Sequence, residues 1–390
     1  MAGEPNAPLV ASDRHFRFFD NREKYLLFVT TCGEKWAIAE RVGQEFPCLD
    51  PRPPALRVFD AGVGDGTVLA SVLRQLHESF PTVPVLVVGK EISVEDVRLS
   101  LEKLPDRFAE HPRLVVVVTN MHYYEAPALT PGSVEKRAAL NWSEVALEGD
   151  SAFDFDRQIQ GLGGLIADWW QVRNSETTGN PLYVTPSVLV LYRADQRFLL
   201  EDVIPRRAQV AGSAGAGYDG LYDLIIAAQP YRARVPAETK VRYVLEPMVK
   251  ALAPGGRMIG IQSTGLDPGM EIIRKVWPDE EPFRTPGPML LKVLRVRLDD
   301  ALPDRQYRME DDATLFRYGL HTTPGEISGE IGSSTLLAAW NAAVYVAQMD
   351  DREVAAAMTQ GAYLDATREV LHRHGGLWFI DESFVVTRKQ

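Results

Sequence analysis

Between Arg57 and Leu76 the chain reads RVFDAGVGDGTVLASVLRQL. An apolar run closes on an acid, Asp60. Three glycines follow at alternate positions, Gly62, Gly64 and Gly66, and then a run of helical period from Thr67. A strand, a glycine turn and a helix make the first half of a β-α-β unit, whose crossover returns the chain to a parallel neighbour. Glycine lets backbone approach a ligand closely. The amides that open the following helix point back at the turn, as they do in anion sites. Here, however, Asp60 and Asp65 would repel a phosphate.

The same alternation recurs along the chain. Leu56 to Phe59, Val83 to Val88 and Leu114 to Thr119 read as strands, with helices over Thr67 to Phe80 and Val94 to Leu104. The run LVVVVT at Leu114 is apolar throughout, which suits a strand buried on both faces. Right-handed crossovers then predict an α/β fold, a doubly wound, mostly parallel sheet. The turn itself narrows the ligand. No Lys-Ser/Thr pair follows the glycines, so a triphosphate loop is excluded. A dinucleotide fingerprint needs glycine at the first, third and sixth positions, and the sixth here is Thr67. A cofactor bearing positive charge and no phosphate is favoured.

The sequence resembles the class I S-adenosylmethionine-dependent methyltransferases. VFDAGVGDG matches their first motif, an apolar strand, an acid and Gly-x-Gly-x-Gly. VLVVGKEIS supplies Glu91 as the acid ending the second strand. TNM places Asn120 and Met121 at the end of the third, where the family more often has Asp. YDLIIAAQPY and LAPGGRMIGIQS follow in order, so the resemblance runs from about Leu56 to Gln262 with one interruption. It implies S-adenosylmethionine as cofactor, with Asp60, Gly62, Gly64, Asp65, Gly66, Glu91, Asn120, Met121 and Gln229 as the residues binding it. Glu91 would accept hydrogen bonds from the ribose hydroxyls and Asp60 one from the ammonium, while Asn120 and Met121 would read the adenine.

Four regions are expected. Residues 1–20 read as disordered and 21–50 as a helical cap carrying Tyr25, Phe28, Val29 and Trp36, broken near Cys32-Gly33. The core spans 51–122 and 221–390, and 123–220 form an insertion or lid. Inside the insertion, helices are expected near Glu135 to Leu147 and Ile159 to Arg173. A hairpin is expected from Ser187 to Arg193 and Arg197 to Ile204, and a flexible return through GSAGAGYDG, residues 212–220. Beyond it a helix over Pro236 to Ala253 and a strand at Arg257 to Gln262 resume the core. The last quarter reads as a strand at Thr314 to His321, helices over Thr335 to Met349 and Glu353 to His374, and a final strand at Ser383 to Arg388. HRHGG at His372 is better read as a helix C-terminus than as a metal site; no metal is expected.

Composition limits the partners. The 53 acidic against 42 basic residues give a net charge of −11, which disfavours nucleic acid. The densest basic cluster, Arg206-Arg207, is short. Cys32 and Cys48 alone exclude a disulfide framework. Neither a signal peptide nor a membrane span is visible, so a cytoplasmic setting is expected.

A small-molecule acceptor, methylated on oxygen or nitrogen in a lidded pocket, is the expectation. His122 and Tyr231 are the candidate catalytic residues. Trp142, Trp169, Trp170 and Tyr192 would line the acceptor pocket, with Tyr123 and Tyr124 beside them, unless the insertion forms a homodimer contact. Two alternatives stand beside this: a non-catalytic cofactor-binding scaffold, and amino-group methylation of a nucleobase or protein amide through Ala228-Gln229-Pro230-Tyr231.

Overall fold

The computed structural model describes residues 22–176, 180–205, 221–302, 306–310, 313–322 and 325–390. The expectations for residues 1–20, Arg206-Arg207 and 212–220 fall outside them. Three parallel strands, Leu56–Asp60 (β1), Val85–Lys90 (β2) and Leu114–Thr119 (β3), lie side by side in chain order. Their side chains alternate between two cores. Phe59, Leu86, Val88, Val115 and Val117 enter one, and Leu56, Val58, Val85, Val87, Val116 and Val118 the other. Both faces are covered, so the strands need no polar alternation. The helix Thr67–Ser79 covers the second face with Val68, Val72, Leu73 and Leu76. Helical residues 237–250 cover the first with Val241, Leu245 and Met248.

The segment after β3 departs from expectation. Residues near 135–147 form only a short helix, Val134–Ala138, and then a strand, Asn141–Leu147 (β4). Val172–Asn174 (β5) and Pro181–Tyr183 (β6) make a separate two-stranded ribbon. Ser187–Arg193 (β7) is a strand as expected, but no hairpin partner follows it. Residues 194–203 are helical, because Leu199, Leu200 and Val203 are buried at helical spacing while Glu201 and Asp202 face out. The expected helix near 159–173 is two, Ala152–Gln160 and Gly163–Trp169. β7 pairs antiparallel with β3, and β4 pairs parallel with β7. The insertion therefore extends the main sheet through β7 and β4 and adds only the small β5-β6 ribbon beside it.

Tyr222–Ala228 (β8) and Leu252–Ser263 (β9) add parallel strands on the far side of β1. Tyr307–Met309 (β10), Thr314–Gly319 (β11) and Trp378–Arg388 (β12) complete the sheet. β12 lies antiparallel against β9, and β10 pairs antiparallel with β12. The full order is β10-β12-β9-β8-β1-β2-β3-β7-β4, with β11 also on β12.

The cap is two helices, Arg22–Thr31 and Glu34–Gly43, broken at Cys32-Gly33 as expected. Phe28 stacks against Tyr345 of the helix Ser333–Val346, ring centroids 4.7 Å apart, while Trp36 is 68% exposed and joins no apolar side. No described helix is long and apolar enough to cross a membrane.

The His77 and His111 rings lie 4.6 Å apart, tilted by 30°, and both residues are buried. Burial pushes the His77 imidazole down to about 3, and His111 and Arg107 push it the same way. Glu110, 3.6 Å from His77 Nδ1, already pairs with Arg107. A histidine held neutral in the fold and free to protonate when unfolded supports stability above its unfolded pKa of ~6.5, and that support is lost as pH falls toward the folded value. Proton uptake on unfolding between pH 6.5 and 5, from the slope of stability against pH, should drop by about one proton in His77→Phe. An unchanged slope would refute the neutral pair.

Candidate functional site

The turn after β1 holds an unsatisfied charge. Asp60 is buried, its Oδ1 accepts from the Gly62 amide at 3.2 Å, and its Oδ2 has no hydrogen-bond partner. Burial pushes its carboxyl up to about 7. The Gly62 amide opposes that shift, Glu91 adds to it, and Lys35 pulls it back. The three glycines are required for different reasons. Gly66 takes a left-handed φ of 80°, and a Cβ there would stand 2.6 Å from Ser100 Cα. Gly64 also has positive φ, 55°, beneath the Tyr25 hydroxyl. Gly62 has neither constraint: its φ is not left-handed, and nothing lies within 4 Å of where its Cβ would be. An open Cβ position at Gly62, two residues after a buried carboxylate with one unpartnered oxygen, is a feature of the kind that a ligand fills.

Glu91, just past the end of β2, closes the turn from the adjacent strand. Its Oε2 accepts from the Gly64 amide at 2.9 Å, and its Oε1 accepts from Ile92 and Ser93 at 2.8 and 2.9 Å. Asp96, in the helix that follows, is pushed up to about 7, first by burial and then by Glu91. The cap reaches the same place. The Tyr25 hydroxyl donates to Asp65 at 3.1 Å, and Lys35 lies over the Tyr25 ring at 5.5 Å. Burial works against the Lys35 ammonium, but Glu34, then Tyr345 and Asp65, hold it above its usual range. Four carboxylates, those of Asp60, Asp65, Glu91 and Asp96, thus surround the turn beside Lys35. That excess suits a cationic ligand.

Several predicted site residues sit differently. The Asp65 carboxylate is taken up within the chain by Tyr25, Thr67 and Lys103, so it braces the turn. Gly66 serves packing against Ser100. The Asn120 amide donates to Trp169 O and Thr185 O and accepts from the Ser187 amide, all in the insertion. Met121 is fully buried in the core. Neither side chain is free to read a base.

His122 lies between the rings of Tyr124 and Tyr183, at 5.6 and 4.8 Å. Burial pushes its imidazole down to about 4, Glu125 resists, and Lys90 and Lys136 push with burial, so it stands neutral near pH 7. Trp170 and Tyr192 are buried core, and Trp142 and Trp169 pack on core edges. Trp170 Nε1 donates to Glu91 O at 2.8 Å, tying the insertion to the tip of β2.

A cavity of about 200 Å³ opens where β8 and β9 end, lined by Gln229, Tyr231, Lys240, Gln262, Phe283 and Glu382 among others. Contrary to expectation, no described residue of the insertion lines it. Its walls come from the segment just after β8, Lys240, the end of β9 and the C-terminal third of the chain. Gln229 has a left-handed φ of 48°, and its Nε2 donates to Ser263 Oγ at 2.9 Å and to Asp381 Oδ2 at 3.3 Å. The amide nitrogen is thus engaged within the chain. The Tyr231 hydroxyl is buried without a partner. Burial lowers the Lys240 ammonium to about 8 against the pull of Glu382.

Lys35, Lys90, Lys240, Gln262 and Glu382 were not identifiable beforehand; only Gln262 carried a signal, as the last residue of a predicted strand. HRHGG closes the helix Ala362–His374, with Gly375 left-handed, and among the described residues no cluster could hold a metal.

The strand order decides the fold. Three parallel strands step outward from β1 to β3, two more lie on its other side, and an antiparallel β12 is inserted between β9 and β10. This is a class I methyltransferase fold. No family model matches the chain, and no curated protein matches its sequence. Among solved structures, it is similar to one provisionally named a sarcosine dimethylglycine methyltransferase from Galdieria sulphuraria, at 9% identity and TM-score 0.34, covering 97% of this chain and 92% of that one. A geranyl diphosphate methyltransferase in complex with SAM matches at 9% identity and TM-score 0.30, over 92% and 91%. PKMT2 from Rickettsia typhi in complex with AdoHcy matches at 13% and 0.29, over 90% of this chain and 52% of that one. Scores this low leave the argument with the chain's own strand order and residues.

The glycines separate folding from binding. Gly62→Ala should leave the melting temperature within about 2 °C of the parent, since nothing opposes its Cβ, yet weaken binding of S-adenosylhomocysteine at least tenfold. Gly66→Ala should lower the melting temperature clearly, because the Ser100 backbone blocks it. A Gly62→Ala protein that binds as the parent does would show that the open face is not a ligand cradle.

Proposed function

We propose that the chain binds S-adenosylmethionine in the crevice beyond β1 and β2 and transfers its methyl group to a small molecule seated in the β8–β9 cavity. The observation that carries this is the buried, half-satisfied Asp60 carboxylate two residues before Gly62, whose Cβ position is unobstructed. An ammonium group there would supply the missing hydrogen bond and charge. Glu91, freed from the Gly64 amide, can offer carboxylate oxygens to vicinal hydroxyls. When bound, the cofactor supplies a methyl group on a positively charged sulfur. The chain's part is alignment and exclusion of water, which can account for much of such a reaction. Neutral His122 stands beyond β3, and Tyr231 lines the acceptor side. Nothing in a transfer to an already neutral nucleophile demands a base. Residues in both crevice and cavity lie at strand C-termini, where open α/β sheets bind ligands.

The raised Asp60 carboxyl makes binding depend on pH. Protonated below about 7, it must lose its proton to receive an ammonium, so affinity should rise with pH. Calorimetry with S-adenosylhomocysteine should show about a tenfold gain from pH 6 to pH 8, and Asp60→Asn should abolish that gain. Glu91→Ala should weaken binding by about 1–3 kcal/mol. A flat pH profile in the parent, together with unchanged affinity in Glu91→Ala, would remove the cofactor assignment.

A further inference from the structure

The β8–β9 cavity occupies about 200 Å³, the space of about seven waters at ~30 Å³ each. Two nearly enclosed side chains of opposite charge line it, Lys240 at 2% and Glu382 at 5% exposure. No ion pair joins them, and their surroundings differ. The Lys240 ammonium donates to Ala233 O at 2.9 Å and Thr285 Oγ1 at 2.6 Å, and it lies over the Tyr231 ring at 4.6 Å. The cation is engaged on three sides, as many as it has protons.

The acid is not so engaged. Glu382 Oε1 accepts from Gln262 Nε2 and from the Gly287 amide, both at 2.7 Å, whereas Oε2 accepts from no described residue. Gln262 Nε2 gives its second hydrogen to Thr285 O at 2.8 Å, which leaves Gln262 Oε1 without a donor. The register pins these two residues together, because Glu382 and Gln262 are direct cross-strand partners on β12 and β9. The cavity therefore offers two bare acceptor oxygens, one of them charged. A group with at least two hydrogens and positive charge satisfies both, whereas a hydroxyl satisfies one and leaves the other desolvated. Leu266, Phe283, Pro286 and Leu315 supply apolar wall for a carbon body.

The Tyr123 hydroxyl, from the end of β3, donates to Pro230 O at 2.8 Å, one residue before the cavity residue Tyr231. We propose that the cavity selects a primary amine on a compact apolar or aromatic body, bound as its ammonium by Glu382 Oε2 and Gln262 Oε1. To accept a methyl group the ammonium first gives one proton to Glu382, and the neutral nitrogen then forms the N–C bond as the methyl–sulfur bond breaks, leaving a methylated ammonium and a neutral thioether. The acceptor role rests on the methyltransferase reading; recognition of the amine does not.

The test is calorimetry on the full chain with benzylamine and benzyl alcohol, with and without S-adenosylhomocysteine. Benzylamine should bind at least tenfold more tightly than the alcohol. Glu382→Gln keeps an oxygen for Gln262 and Gly287 but turns Oε2 into an amide. It should lose at least tenfold in benzylamine affinity and leave S-adenosylhomocysteine affinity unchanged. Should that variant fold poorly, Leu315→Trp, at the half-exposed rim, should obstruct benzylamine without lowering the melting temperature. Equal binding of amine and alcohol, or undiminished amine binding in Glu382→Gln or in Leu315→Trp, overturns the proposal. Amine selectivity in a chain that never binds S-adenosylhomocysteine would keep the pocket's specificity and remove the methyltransferase reading.

Discussion

A carboxylate enclosed at the end of β1 is the constraint around which the site is built. Asp60 lies in the middle of the sheet, with β2 on one side and β8 on the other, and only one of its oxygens is satisfied. Such a group is costly to bury. Removing it would relieve the fold and take from the turn a buried carboxylate of which one oxygen has no partner among the described residues. The structure keeps that group and sets the Glu91 carboxylate near it, against the pull of Lys35, which suits a cation better than a phosphate.

The turn is held from three directions, and none of the three blocks Gly62. Glu91 grips the Gly64 amide from β2, Tyr25 reaches Asp65 from the cap, and Trp170 fastens the insertion to the carbonyl of Glu91. In this arrangement the insertion braces more than it covers. Asn120 shows the same thing. Its whole amide is occupied by the insertion's backbone, so the end of β3 anchors the Thr185–Ser187 corner. Preorganisation of this kind puts rigid elements behind a turn in which Asp60 Oδ2 is left unpartnered.

Much of this was legible in the sequence. The first three strands, the glycine turn, Asp60 and Glu91 follow from apolar runs and a motif, because β1 to β3 are buried on both faces and local pattern and tertiary fate agree. The edges were harder. β4 carries half-buried, mixed residues, and it becomes a strand only because β7 pairs with it. The LLEDV run after β7 mimics a strand in composition but buries its apolar residues at helical spacing. The helix Pro268–Val276 has a start legible in the sequence, Asp267 capping the Met270 amide with Pro268 in its first turn.

The acceptor wall was the least legible part, for a reason of topology. Gln262 and Glu382 are 120 residues apart in the chain, and neither sits in a motif. What brings them together is the antiparallel insertion of β12 beside β9, a pairing that no local pattern specifies. Because side chains alternate along β12, Asp381 and Glu382 turn to opposite faces. Asp381 goes to Gln229 and Ser263, and Glu382 to Gln262 and the cavity. A slip of one residue would exchange the two acids and put a different carboxylate into the pocket. On the proposed reading, acceptor recognition depends on the register of β12 and cofactor recognition on the turn after β1. The two can vary independently on one sheet.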